Sequence, residues 1–313
     1  MPTGTILVLG AFAGMTIYLG LPFAFLKQAP PSLKAFASML ATGVLIFLLY
    51  DVIGKASEPI DKALAQVRAQ SSGGGTLLLD LFLFAFGLGL GLLGLVYFHK
   101  HVTRRLRAST PAPADGSPPG APSAQLALAG VSAQAHATTE TPASAMLTPA
   151  RATRVVATTP SVELTPQTLA LIIATGIGLH NFSEGLAIGQ SAAAGALQLA
   201  AVLIIGFGLH NMTEGFGIAG PLAGHSVSWK FIILAGLIGG GPTFLGTAVG
   251  IVFPSSQMFI FCLALAAGAI IYVVAELLGV AKRFKSPEIV MWGLLVGFLL
   301  GYATDLVVTF AGA

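Results

Sequence analysis

Eight long apolar segments alternate with shorter polar segments along the chain. They cover residues 4–26, 35–54, 77–98, 167–190, 196–219, 230–253, 257–281 and 288–311. A helix needs about 20 mostly apolar residues to cross the hydrocarbon core of a bilayer, and every segment is long enough. The pattern therefore predicts an all-α polytopic membrane protein with eight transmembrane helices.

The composition supports this interpretation. Of 313 residues, 55% are hydrophobic and 9% are charged, whereas about 25% charged residues are typical of soluble domains. So few charges cannot solvate the surface of a water-soluble enzyme. The net charge of +3 does not indicate a nucleic-acid-binding protein. The single cysteine, Cys262, lies in an apolar run and excludes a disulfide-stabilised secreted domain.

The distribution of lysine and arginine predicts the orientation in the membrane. With the N-terminus outside, Lys55, Lys62 and Arg68 lie outside and the other twelve of the fifteen basic residues lie in cytoplasmic segments. Cytoplasmic loops carry the excess of lysine and arginine, so we expect both termini outside. In the absence of sorting signals, we expect the plasma (inner) membrane of a bacterial-type cell.

The segment 99–166 is the one long polar region. Its centre is rich in Pro, Ala, Ser and Gly and cannot bury a core, so we expect a cytoplasmic, mostly disordered loop. The rest of the chain then divides into helices 1–3 (1–98), helices 4 and 5 (167–219) and helices 6–8 (220–313). Thr165 and Pro166 predict an N-cap, and a proline at the first position, of the fourth helix.

Carboxylates, unlike lysine and arginine, lie deep in the predicted spans. They are Glu184, Glu214, Glu276 and Asp305, with Asp51 and Asp80 near span ends. A membrane protein that excludes deep cations but keeps carboxylates is expected to contain an internal cation site. For Asp80 we expect a simpler role, as a charge in the first turn of its helix that the helix dipole stabilises.

A repeated motif in spans 4 and 5 is the strongest signal. Gly178–Gly185 reads GLHNFSEG, and Gly208–Gly215 reads GLHNMTEG. In each copy the histidine, asparagine and glutamate stand at i, i+1 and i+4, so they project onto about one face of a helix. Two antiparallel helices can turn these faces towards each other near the bilayer midplane. The candidate metal ligands are His180, Asn181, Glu184, His210, Asn211 and Glu214.

Imidazole nitrogens with carboxylate and amide oxygens form a donor set for Zn²⁺, Fe²⁺, Mn²⁺ or Cd²⁺. Mg²⁺ fits less well, because imidazole is a poor ligand for it. A single histidine in a membrane helix often only hydrogen-bonds to a neighbouring helix, and asparagine commonly joins helices. The duplication of the whole set on consecutive spans favours a metal site over this packing role.

The eight spans, the long loop after span 3 and the motifs HNFSEG and HNMTEG resemble the ZIP family, the zinc- and iron-regulated-transporter-like proteins. The resemblance covers essentially the whole chain. It implies a 3+2+3 arrangement of helices whose central pair carries the metal, a homodimer, and movement of divalent metal into the cytoplasm. It also implies that the six motif residues named above occupy the metal-site positions of the family.

The chain departs from the family pattern in three places. Ser183 and Thr213 stand where the family usually has proline; a hydroxyl bonded to the carbonyl at i−4 bends a helix more gently than proline does. Gly241 stands where many bacterial members have a carboxylate, so we expect the second metal site to be weak or absent. The loop also lacks a histidine-rich tract and leaves only His99, His101 and His136 in this region.

Three more carboxylates are candidates for the metal path. Asp51, near the outer end of span 2, and Asp305, in the outer half of span 8, are placed to attract cations at an entrance. Glu276, near the inner end of span 7, is placed to receive metal at an exit. Two simpler roles stay open: Asp51 at the water interface, and Glu276 solvated or paired with Lys282.

Transport is the function that the sequence favours, with two alternatives. A non-transporting metal sensor is suggested by the missing prolines and the missing carboxylate. An intramembrane metallohydrolase would need an acid or base distinct from its ligands, but the two motif copies are equivalent and no HExxH occurs. We therefore predict a transporter of divalent transition metal, zinc foremost, that is not an enzyme and has no catalytic cofactor. Its expected partners are metal ions and the lipid bilayer.

Overall fold

The computed structural model of the chain describes residues 2–26, 30–70, 72–109, 165–282, 284 and 286–310. These residues form helices and connecting turns, and no strand occurs among them. The helices are α1 (Thr3–Met15), α2 (Pro31–Gln70), α3 (Gly74–Ser109), α4 (Pro166–Ala193), α5 (Leu197–Ala219), α6 (Trp229–Val252), α7 (Ser256–Ala281) and α8 (Pro287–Phe310).

The chain forms two compact units, residues 1–103 with 164–313 and residues 104–163. The first unit is the helix bundle. Of the second, the structure describes only 104–109, the end of α3. The expected disorder of the loop 99–166 falls mostly on residues outside the described ranges.

The prediction of eight spans is confirmed. In the described ranges, eight helical segments are long and apolar enough to cross a membrane. The first span is not one continuous α-helix, because two short 3-10 helices, Thr16–Leu19 and Leu21–Phe25, continue α1. Gly20 lies between them against the backbone of α5. Pro22 then removes a backbone donor at the start of the second 3-10 helix.

Two helices run further than their apolar segments. α2 continues past residue 54 to Gln70, because the polar stretch beyond the span is rich in residues that favour helix. α3 continues through His99 to Ser109, so the first part of the expected loop is helical. The expectation for Asp80 is wrong: α3 begins at Gly74, so this buried carboxylate lies beyond the first turn.

The central pair of helices contacts both flanking triplets. α4 packs against α1, α6 and α7 as well as α5, and α5 packs against α1, α2 and α8. α4 is the most buried of the spans, whereas α3 and α8 are the least buried. The arrangement agrees with the expected 3+2+3 order, with the repeated motif on the two central helices.

Glycine allows the helix carrying the first motif to touch α6 directly. A side-chain carbon at Gly185 would overlap the backbone carbonyl of Thr243, and one at Gly246 would overlap the carbonyl of Phe182. Small residues permit this close backbone approach in membrane bundles. The start of α4 is fixed by the predicted cap, since the Thr165 hydroxyl accepts a hydrogen bond of 3.2 Å from the Thr168 amide.

Candidate metal centre

The residues between histidine and glutamate in each motif copy shape the helix locally. The Ser183 hydroxyl donates to the carbonyl oxygen of His180 at 2.7 Å, and the Thr213 hydroxyl donates to that of His210 at 2.6 Å. The expected acceptor was the carbonyl at i−4, but in both helices the hydroxyl bonds to the carbonyl at i−3 instead. Each hydroxyl is thereby hydrogen-bonded to the backbone of its own helix.

Three motif side chains come together between α4 and α5. His180 Nε2 lies 3.1 Å from Glu184 Oε1, and His210 Nε2 is hydrogen-bonded to the same oxygen. One donor atom from each of the three residues lies within 4.8 Å of the other two. Two imidazoles and a carboxylate therefore converge on one point, where a single divalent ion could contact all three.

Glu214 lies beside this cluster and is completely buried. Its Oε1 is 3.8 Å from His180 Nε2, and its side chain has 0% exposure. Neither of its oxygens has a hydrogen-bond partner among the described residues. A buried carboxylate without a partner is costly. This fourth candidate ligand thus lies beside the three side chains that converge, but it is not one of them.

The two asparagines join the central helices to their neighbours. Asn181 Nδ2 donates to the carbonyl oxygen of Gly239 on α6 at 3.0 Å, and Asn211 Nδ2 donates to that of Ala13 on α1 at 3.1 Å. The amide nitrogens have the packing role that asparagine often takes in membranes. Both Oδ1 atoms stay buried without a hydrogen-bond partner within the described ranges.

Position 241 contributes no ligand to this cluster. A side chain at Gly241 would meet Leu237 on the same helix, with no motif residue among its nearest neighbours. The whole of α6 contains neither aspartate nor glutamate. Helix α6 therefore offers the asparagine of the first motif a backbone group instead: the Gly239 carbonyl, which accepts a hydrogen bond from Asn181.

A cavity of about 340 Å³ reaches the cluster from one face of the bundle. His180 and Glu184 are among the residues that line it. Four charged residues line the same cavity, and we call them the vestibule: Asp51, Lys55, Glu58 and Asp305. A second, smaller cavity joins three of these residues to His210. The acidic residues Asp51 and Asp305, singled out in the sequence, thus share one cavity with the motif.

Sequence reasoning did not identify Lys55 and Glu58 as part of this cavity. A signal was available, because Asp51, Lys55 and Glu58 stand at i, i+4 and i+7, which is one stripe of a helix. The apolar segment ends at 54, so the stripe becomes visible only when α2 is known to continue.

The sequence model of the ZIP zinc transporter family matches residues 3–305. The chain belongs to the ZIP zinc transporter family. Metal transport and a multi-pass membrane location follow from this membership and the eight spans, and a buried cluster of two histidines and a glutamate fits a divalent metal. No curated protein matches the chain.

In this ZIP chain, buried apolar side chains pack where α4 precedes its motif and α5 follows its own. Ile177 and Leu277 flank Gly217, and Ile218 flanks Gly239. Each of the three apolar residues is at most 1% exposed. We call Ile177, Ile218 and Leu277 the apolar layer. The layer lies at the level of Gly217, three residues beyond Glu214 on α5.

Glu276 lies outside the three-residue cluster, near the end of α7. Its Oε1 is 3.6 Å from His99 Nδ1 on α3, and the same nitrogen is hydrogen-bonded to the Tyr272 hydroxyl. Within the described residues no ion pair joins it to Lys282, which is six positions further and therefore on another face of the helix. In this ZIP chain Glu276 is thus grouped with His99, which the sequence had placed at the start of a loop.

Proposed function

We propose that this protein moves divalent transition-metal ions, zinc foremost, into the cytoplasm through a site formed by His180, Glu184 and His210. The convergence of both imidazoles on one carboxylate inside a membrane-spanning bundle is the observation that supports this function. Family membership supports the transport of divalent metal in general. The metal is the substrate, and the proposal includes no catalytic step and no catalytic cofactor.

The donor set favours zinc and similar ions over Ca²⁺ and Mg²⁺. Zn²⁺ accepts histidine nitrogen and carboxylate oxygen in one coordination shell, whereas Ca²⁺ and Mg²⁺ prefer oxygen ligands throughout. Because these ligands bind metal in their deprotonated forms, arrival of the ion releases any protons that they carry. Because Ca²⁺ and Mg²⁺ prefer oxygen ligands, a site with two imidazoles selects against these ions, which are abundant outside cells.

Glu214 is the next ligand along the proposed path. It neighbours His180 but does not line the vestibule cavity, so the ion reaches it only after the first three ligands. The free Oδ1 atoms of Asn181 and Asn211 add oxygen donors at this stage. With no carboxylate from α6, we propose that one ion moves through these ligands, without a second metal held beside it.

The direction of transport follows from the two ends of the path. The vestibule lies on the face that the distribution of lysine and arginine predicts to be outside. The apolar layer closes the opposite direction, so inward release requires Ile177, Ile218 and Leu277 to separate. Glu276 and His99 are placed to receive the ion on that side.

The same proposal keeps the remaining expectations of the sequence. Both termini lie outside, the segment 99–166 lies in the cytoplasm, and the helix pair 167–219 carries the metal between 1–98 and 220–313. The protein works in a plasma membrane as a homodimer, and it needs no nucleic-acid partner. These assignments rest on the positive-inside rule and on the family.

Flux into proteoliposomes tests the proposal. Purified wild type is compared with Glu184→Ala, Glu214→Ala and the control Glu288→Ala, which alters an exposed carboxylate at the start of α8. Zn²⁺, Fe²⁺, Mn²⁺ and Cd²⁺ are supplied separately. We expect flux in the wild type and the control, and none in the two motif variants. Metal binding without flux in the wild type would instead indicate a sensor, and flux that survives both motif changes would refute the site.

A further inference from the structure

Lys55 places a positive charge in the path proposed for the metal. Its Nζ lies 2.7 Å from Asp51 Oδ2, one turn earlier on α2. The Lys55 side chain is 36% exposed and that of Asp51 is 17% exposed, so the pair belongs to the cavity wall. Glu58 and Asp305 line the same cavity. The Lys55 ammonium group is therefore paired with the Asp51 carboxylate, which an incoming cation would otherwise contact.

A contribution to helix stability does not by itself explain the ion pair between Asp51 and Lys55. Exposed ion pairs at i, i+4 contribute little to the stability of a helix. Lys62, on the same helix, is exposed and does not line the cavity. A lysine in this polar part of α2 can thus remain in water, whereas Lys55 is aligned with Asp51 and Glu58 on the stripe that faces the path.

The charge of the vestibule depends on this one residue. Three carboxylates and one ammonium give a formal charge of −2, and without Lys55 the charge would be −3. A cluster of carboxylates alone concentrates every cation near it, and its oxygen ligands suit Ca²⁺ and Mg²⁺ in particular. Such ions would collect above the histidine–glutamate cluster and obstruct the transported metal.

We propose that Lys55 is a specificity-determining residue, because its ammonium group competes with incoming metal ions for the Asp51 carboxylate. An incoming ion must displace the ammonium to use this carboxylate. For Ca²⁺ or Mg²⁺ no favourable binding follows this displacement, because imidazoles are poor ligands for these ions. A transition-metal ion, in contrast, passes on to His180 and His210 and binds there. Lys55 thereby lowers occupancy of the vestibule by abundant hard ions while leaving the path open to transition metals. This inference rests on the proposed transport function.

Zinc flux into proteoliposomes, with and without competing Ca²⁺, tests the inference. The variants are Lys55→Met and Lys55→Gln, which remove the charge, Lys55→Arg, which keeps it, and Lys62→Met as the matched control. We expect loss of the charge to lower the half-saturating zinc concentration about two- to fivefold, the range for a partly exposed charge pair. The maximal rate should not change. Ca²⁺ should inhibit both neutral variants about two- to fivefold more strongly than the wild type. Lys55→Arg and Lys62→Met should behave as wild type.

The outcomes separate this inference from the transport function itself. Absence of flux in the wild type would refute the proposed function and, with it, the role of Lys55. Wild-type flux with the same half-saturation and the same Ca²⁺ inhibition in both neutral variants would refute the inference alone. A lower maximal rate at unchanged half-saturation would also refute it, since Lys55 would then serve the transport cycle or the helix. Zinc binding to each detergent-solubilised variant verifies that the motif is intact, and two neutral replacements guard against one that fails to fold.

Discussion

The His210 imidazole on α5 is hydrogen-bonded to the Glu184 carboxylate on α4. This bond joins the two copies of the repeated motif. Because the same carboxylate oxygen lies 3.1 Å from His180 Nε2, Glu184 is the point at which both copies meet. A change to one histidine is therefore expected to alter the environment of the shared carboxylate as well as the number of nitrogen ligands.

Replacing His210 by glutamine is expected to weaken zinc binding and change the order of metals. Glutamine keeps a polar side chain but offers an oxygen in place of a nitrogen, which suits Mn²⁺ better than Zn²⁺. We expect zinc affinity to fall at least about 10- to 100-fold, the cost of removing only an outer-shell partner of a ligand, and a much smaller loss for Mn²⁺. Isothermal titration of the detergent-solubilised protein measures both.

His225→Gln is the matched control for this change, because His225 is exposed in the turn between α5 and α6. It should bind zinc as the wild type does. Equal losses for zinc and manganese in His210→Gln would contradict a direct role for the imidazole and indicate general damage to the site.

The asparagine amides are expected to stabilise the bundle even without metal. Asn181→Leu removes the bond to the Gly239 carbonyl, and Asn211→Leu removes the bond to the Ala13 carbonyl. Each change should lower the free energy of unfolding of metal-free protein by about 1–3 kcal/mol, because a buried carbonyl loses its donor. Thermal unfolding in detergent measures the effect.

The two losses should add when the variants are combined, because the bonds lead to different helices. If metal-free unfolding is unchanged and only zinc binding falls, the asparagines act solely as ligands, and their bonds to α1 and α6 do not contribute measurably.

The spans and the meeting of the motif copies were predictable from the sequence for a physical reason. Hydrophobic length decides whether a segment crosses the bilayer, and the i, i+4 spacing fixes which side chains share a helix face. These two rules and an antiparallel helix pair are enough to predict that His180, Glu184 and His210 lie near one another. The convergence of all three on one oxygen required the structure.

Other features depend on packing that the sequence does not display. The amide nitrogens of Asn181 and Asn211 point to carbonyls of α6 and α1, and nothing in the motif tells which end of the amide faces the site. The predicted position of Asp80 in the first turn of its helix was wrong because α3 begins at Gly74, before its apolar segment begins. Lys55 was missed for the same reason at the end of α2.

Gly185 is expected to tolerate no side chain, because its Cα faces the Thr243 carbonyl on α6. Gly185→Ala should destabilise the protein by about 1–3 kcal/mol, the usual cost of forcing packed backbones apart. It should also reduce zinc flux, since Glu184 is its direct neighbour. Thermal unfolding and flux are measured on the same preparation.

Gly279→Ala is the matched control, because Gly279 also lies in a helix but has open space where a side chain would be. Alanine favours helix over glycine by roughly 1 kcal/mol, so this variant should be as stable as the wild type or slightly more so. Equal destabilisation by both changes would show that the approach of α4 to α6 is not the cause.

Asp305→Asn is expected to weaken the capture of zinc without slowing the transport of zinc already bound. The substitution removes one negative charge from the vestibule and leaves His180, Glu184 and His210 unchanged. The half-saturating zinc concentration should rise about two- to fivefold, by loss of an attractive charge that is partly exposed to water, and the maximal rate should stay constant. Since ions shorten the range of such attraction from about 10 Å at 0.1 M salt to about 3 Å at 1 M, the difference from wild type should shrink at high salt.

Initial rates of zinc uptake at low and high ionic strength measure this effect. Asp61→Asn, which removes an exposed carboxylate of α2 that does not line the cavity, is the control and should leave both constants unchanged. A salt-independent fall in the maximal rate of Asp305→Asn would mean that this carboxylate takes part in a later step of the cycle. The effect of Asp305→Asn on half-saturation should also be opposite in sign to that of Lys55→Met, because one removes an attractive charge and the other removes a competing one. Two changes in one direction would contradict an electrostatic vestibule.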